Sequence, residues 1–129
     1  MQAAEMEDVT VRIYVAHASN QGTKVDPKLN FVREELESIF NYSQYKLIQK
    51  TELTLAQNES KSFELTGGDR VFVRYLGIQG DRIHIRLHIK RGEELVLNTD
   101  FELVNGGQMI AGGPKYKEGV LILALHASY

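Results

Sequence analysis

Arg82-Ile83-His84-Ile85-Arg86-Leu87-His88-Ile89-Lys90 is apolar at every odd position and basic at every even one. A period of two held over nine residues is the pattern of a β-strand with one face on a core and the other in water. The flanks extend it. Val71, Val73 and Tyr75 alternate ahead of it, and Gly77-Ile78-Gln79-Gly80-Asp81 reads as the turn between the two strands. Arg91-Gly92-Glu93 then leads into a further strand over 94–103.

Charge proposes a register for that last pair. A three-residue loop at 91–93 sets Lys90 opposite Glu94, Ile89 opposite Leu95, Leu87 opposite Leu97 and Ile83 opposite Phe101. The apolar pairs then share a face, with His84 opposite Asp100 and Arg82 opposite Glu102 on the wet one.

Toward the N-terminus, Val9, Val11, Ile13 and Val15 alternate with Thr10, Arg12, Tyr14 and Ala16 as a first strand. Asp26-Pro27 opens the one helix expected, an N-cap acceptor followed by a residue whose φ suits the first turn. Leu29, Val32, Leu36, Ile39 and Phe40 give it an apolar side, and Asn41 is placed to end it in the left-handed conformation. Further strands are expected over 45–55, 61–65, 108–111 and 120–128. Gly112-Gly113-Pro114 should break the chain and open a basic loop over 112–119 carrying Lys115, Tyr116 and Lys117. The last strand is apolar on both faces, which places it in the middle of a sheet under the helix.

The fold class is therefore mainly β with one α-helix: an antiparallel β-sandwich or open barrel of about eight strands, the helix packed on one side. Residues 9–129 are read as a single domain behind a flexible 1–8 segment. Met1-Gln2-Ala3-Ala4-Glu5-Met6-Glu7-Asp8 suits a mature N-terminus left by cleavage at a small-residue site, and equally a frayed terminus of a cytosolic protein.

Composition narrows the function. Fifteen Lys and Arg against seventeen Asp and Glu leave a net charge of −2, so nucleic acid is not an expected partner. Without cysteine there is no disulfide framework and no thiolate metal site. No apolar run reaches the roughly 20 residues of a membrane-crossing helix, so no transmembrane segment is expected.

Motifs for chemistry are weak, and neither catalytic residue, cofactor nor metal is expected. His84 and His88 share a strand face, but at about 3.3 Å per residue their backbones stand roughly 13 Å apart, too far to chelate one ion. His17 and His126 each precede a small residue and a serine, yet neither serine sits in a glycine-flanked elbow. The pairs Gly67-Gly68, Gly106-Gly107 and Gly112-Gly113 lack the following helix that a phosphate loop requires.

The segments Ile13-Tyr14-Val15-Ala16-His17-Ala18-Ser19, Val25-Asp26-Pro27-Lys28-Leu29, Phe40-Asn41-Tyr42-Ser43-Gln44-Tyr45-Lys46-Leu47 and Gly119-Val120-Leu121-Ile122-Leu123-Ala124-Leu125 resemble a group of small exported bacterial β-rich proteins of unknown function. The stretch from Leu103 to Gly113 is also similar to a glycine-punctuated hairpin of outer-membrane secretins. The first resemblance implies export and brings no activity with it.

The reading expected from sequence is a non-catalytic protein-binding or assembly module, periplasmic or at the cell surface, with a cytoplasmic protein as the alternative. It would engage a protein partner or a second copy through an edge strand, through Lys115, Tyr116 and Lys117, and through the basic face of Arg82, His84, Arg86 and His88, which Arg70 and Arg74 join and which suits an anionic ligand or partner. The alternative function is a small-ligand or carbohydrate-binding domain using Tyr42, Tyr45, Tyr75 and Tyr116 as platforms. A small hydrolase using His17 or His126 comes third.

Overall fold

The computed structural model describes residues 8–129, and the expectations for the start of the chain lie outside the described residues. The protein is mainly β, with 66% of the described residues in strands. In order come β1 (Val9–Ser19), a 3-10 turn (Pro27–Val32), α1 (Arg33–Ile39), β2 (Gln44–Leu55), β3 (Ser60–Glu64), β4 (Arg70–Gln79), β5 (Arg82–Arg91), β6 (Glu94–Val104), β7 (Gly107–Tyr116) and β8 (Gly119–Ser128). They form two four-stranded antiparallel sheets, β2-β1-β8-β7 and β3-β4-β5-β6, the β-sandwich arrangement expected from sequence.

The chain divides into two compact units. One holds Met1–Arg12, described from Asp8, with Glu52–Met109 and His126–Tyr129. Its core is the inward face of the second sheet, Val71, Val73, Tyr75, Ile83, Ile85, Leu87, Ile89 and Leu103, together with Val9, Val11, Leu55 and Ala127, all buried. The odd positions of the opening stretch are thus all inside. Four β-branched or leucine side chains buried on one strand remove about 1.5–3 kcal/mol each of apolar exposure from water.

The other unit holds Ile13–Thr51 and Ile110–Leu125. Here Leu29, Val32 and Leu36 pack on Ala16 and Ala18 of β1 and Ile122 and Ala124 of β8. The small alanines let the helical segment approach the sheet, and β8, interior in its sheet, is buried on both faces from Leu121 to Leu125. The expectation of a central last strand under the helix holds. Asp26 caps the segment, its Oδ1 accepting from the Lys28 amide at 3.0 Å. The Tyr45 hydroxyl ties the far end down, reaching the carbonyls of Leu36 and Phe40 at 3.1 Å each.

Several local expectations are corrected. The helical segment is half 3-10 and stops at Ile39, which is 62% exposed. Phe40 is extended at φ −112°, so Asn41 forms no left-handed cap. The turn before β5 is only Gly80-Asp81, because β4 runs on through a bulge at Gly77, whose φ of 131° suits glycine.

The β5–β6 register is offset by two residues from the expected one. The loop has two residues, Arg91 pairs with Glu94, and a bulge between Ile89 and Lys90 restores the face alternation. Ile89 therefore meets Leu97, Arg86 meets Asp100 and His84 meets Glu102. The 112–119 loop does not exist: β7 continues through Gly112-Gly113-Pro114 to Tyr116, and Lys117-Glu118 makes the turn. An edge strand tolerates proline because its outward amide has no partner to lose. Gly113 is required there, since a Cβ would stand 2.9 Å from the Leu121 carbonyl oxygen.

Candidate functional site

The outward face of β3-β4-β5-β6 collects most of the polar chemistry of its unit. The strand registers draw it as rows across the sheet: Ser60, Arg74, Arg86, Asp100; then Ser62, Phe72, His88, Asn98; then Glu64, Arg70, Lys90, Leu95. Neighbouring strands lie ~4.8 Å apart, so each row brings side chains from four strands into mutual reach.

Arg86 and Asp100 form a two-pronged pair, Nε to Oδ1 at 2.8 Å and Nη2 to Oδ2 at 3.0 Å. The hydrogen bonds from Arg86 hold the Asp100 carboxyl below the usual carboxylate range and raise Arg86 in turn. His84 Nε2 lies 3.3 Å from Glu102 Oε1 without hydrogen-bond geometry. Lys90 Nζ sits 5.6 Å above the Phe72 ring, and Arg70 donates to Ser62 Oγ at 3.0 Å. Arg91 is turned away to the buried Asp69, where two bonds of 3.0 and 3.2 Å raise its pKa.

Two shallow grooves lie on this face. One, of about 270 Å³, is lined by Ser60, Phe72, Arg74, Arg86, His88 and Lys90. The other, of about 470 Å³, is lined by Arg86, His88, Asn98, Thr99 and Asp100. They share Arg86 and His88.

The edge of this sheet at β6 is the second feature. Among the described residues no strand pairs with its outer side, and Leu95, Val96 and Val104 are 48%, 37% and 44% exposed. The other edges are short or interrupted at single points. β3 has five residues. β7 carries Pro114. β2 is bridged by Val25 at Tyr45, and its Thr54 carbonyl accepts from Lys61 Nζ at 2.7 Å.

Of the residues singled out from sequence, His84, Arg86 and His88 stand together on the outward face of β5. Arg82 is at its start, paired with the adjacent Asp81 at 3.6 Å. Lys115, Tyr116 and Lys117 belong to the other unit, at the end of β7 and its turn. Tyr116 packs edge-on against His17 with ring centroids 5.1 Å apart, and its carbonyl accepts from His17 Nε2 at 3.2 Å. His17 is thereby a structural residue whose Nε2 carries the proton. His126 buries Nδ1 without a hydrogen-bond partner, and among the described residues no hydroxyl bonds to either ring.

Tyr45 and Tyr75 are 1% and 3% exposed and offer no platform. Among the described residues no three His, Asp or Glu side chains gather as metal ligands, and no helix is long and apolar enough to cross a membrane. Arg74 was expected from sequence to join this basic face; Phe72 and Ser60 were not singled out, and only the pairing of β3 and β4 with β5 brings them to His88. The chain matches no known protein family, no characterised protein and no solved structure.

Proposed function

We propose that this chain is a non-catalytic protein-binding module of the bacterial cell envelope, which takes an extended segment of another protein onto the free edge of β6. The observation that carries the reading is that edge: eleven residues long, open along its outer side, with Leu95, Val96 and Val104 exposed. Unpaired strands bind other strands through main-chain hydrogen bonds, and natural proteins shield edges that are not meant to pair. The resemblance carried by Ile13–Ser19 and by the start of β8 supports the envelope placement.

The outward side chains of β6 define the chemistry of the partner. Leu95 and Val104 are apolar and lie toward the two ends, with Asn98, Asp100 and Glu102 between them. On the β5 side these carboxylates face Arg86 and His84. The complement on the open side is a strand built like β5, basic at alternate positions and apolar between. A second copy of β6 brings carboxylates against carboxylates and is disfavoured.

A nine-residue peptide alternating Lys or Arg with Ile or Val tests this, with binding read by fluorescence anisotropy. It should bind saturably, and the same peptide N-methylated at alternate amides, which removes main-chain donors while keeping every side chain, should bind at least tenfold more weakly. Equal binding by the two, or by neither, refutes docking at a strand edge.

A further inference from the structure

The groove on the face of the same sheet, away from the β6 edge, is chemically lopsided. Its lining of Ser60, Phe72, Arg74, Arg86, His88 and Lys90 holds three permanent cations and a histidine, with no carboxylate. Arg86 is committed to Asp100 on its far side. The Arg74 side chain has no hydrogen bond or ion pair among the described residues, His88 has none but stands within electrostatic reach of Asp100, and Lys90 is held over the Phe72 ring. Elsewhere on the sheet, basic side chains have found anions: Arg91 has Asp69, and Arg82 has Asp81.

We propose that this groove is a binding site for a phosphate monoester, gripped by Arg74, His88 and Lys90 with Ser60 as a hydroxyl donor. Arg74 and His88 stand on adjacent strands one row apart, so their backbones are ~8 Å from each other, and side chains of their length converge on one tetrahedral group between them. The guanidinium supplies a planar fork and the ammonium a point charge, the pairing suited to a dianion. Phe72 seats Lys90 at the rim through a cation–π contact. A dianion would pair Arg74 and Lys90, the two cations of the lining that have no carboxylate partner, beside an Arg86 already neutralised by Asp100. A volume of about 270 Å³ accommodates the phosphate and a small organic group, and leaves the rest of a larger molecule in solvent.

The site does not depend on strand docking at β6, and its test is separate. Titration of the full chain with inorganic phosphate and with glycerol 3-phosphate, at ionic strength held constant with chloride, is followed by NMR at the His88 ring. Binding to vesicles containing phosphatidic acid is measured in parallel. Saturable shifts with the soluble probes assign a soluble ester. Vesicle binding alone assigns the same group on a lipid.

In either case Arg74→Gln, a change at an exposed side chain, weakens binding at least tenfold. Lys28→Gln, at an exposed side chain on the other unit, leaves it unchanged. Absence of saturation with all three probes overturns the site, as does an equal loss in the two variants, which would mark the attraction as diffuse charge.

Discussion

Replacing Tyr45 by phenylalanine isolates a single hydroxyl on which the helical end of the second unit depends. The ring stays, filling the same buried space among Leu29, Val32 and Leu36. What is lost is one proton shared between the Leu36 and Phe40 carbonyls, each at 3.1 Å. The Leu36 carbonyl keeps the Phe40 amide at 3.1 Å, whereas no other partner is found for the Phe40 carbonyl. One net hydrogen bond plus a partly stranded acceptor is worth about 1–2 kcal/mol. At a urea dependence of about 1.5 kcal/mol/M that lowers the unfolding midpoint by roughly 1 M. The gap should also depend on pH. Burial pushes the Tyr45 phenol above its usual range, an effect partly opposed by the Tyr42 backbone amide. A raised folded pKa means that the contribution is complete below about pH 10, where the unfolded phenol titrates, and is lost as pH climbs through the folded value. Urea unfolding of both proteins between pH 8 and 11 should therefore show the gap narrowing above pH 10. A difference under about 0.3 kcal/mol at pH 8, or one that stays constant to pH 11, refutes the account.

Two further outcomes follow from the same reasoning. Asp100 is depressed by its bonds to Arg86, so that pair stabilises above the ordinary carboxylate value near pH 4 and is lost as pH falls through the lower folded value; urea midpoints of wild type and Asp100→Asn should differ at pH 6 and converge below about pH 3, and parallel curves would speak against the pair. At the start of β8 a Cβ on Gly119 would overlap the Ala18 carbonyl; Gly119→Ala should cost about 3 kcal/mol or prevent folding, and a well-folded variant losing under about 1 kcal/mol by urea titration would show that the backbone yields there.

The sequence carried the sheet well and its errors are instructive. The alternation through β5 needs only local periodicity, and all four odd positions from Ile83 to Ile89 are buried. β6 was harder because Leu95-Val96-Leu97 is apolar three times running, which hides its phase, and the bulge that resolves it leaves no mark in composition. Gly112-Gly113-Pro114 looked like a break because these residues usually punctuate. In β7 the proline sits on an edge, and the glycine answers a steric demand from Leu121 that only the folded chain imposes. Ile39 fits the helical spacing but is the last residue of α1, where its side chain stays exposed. Half of the groove was visible as the even positions of β5, and Arg74 as a cation expected beside them. Phe72 and Ser60 were not, because cross-strand alignment is set by distant turns and bulges.

On the proposed docking of a strand at β6, the uneven treatment of the sheet margins bears on the valence of the molecule. A particle with two adhesive margins can grow without limit, each newcomer presenting a fresh margin to the next. Here proline, short length and bridging interrupt three margins, and the one at β6 carries the exposed apolar side chains. Such a particle would take its first arrival at β6. On a growing β-polymer it would act as a terminator, and in solution it would form pairs whose number is set by stoichiometry and whose size does not rise with concentration.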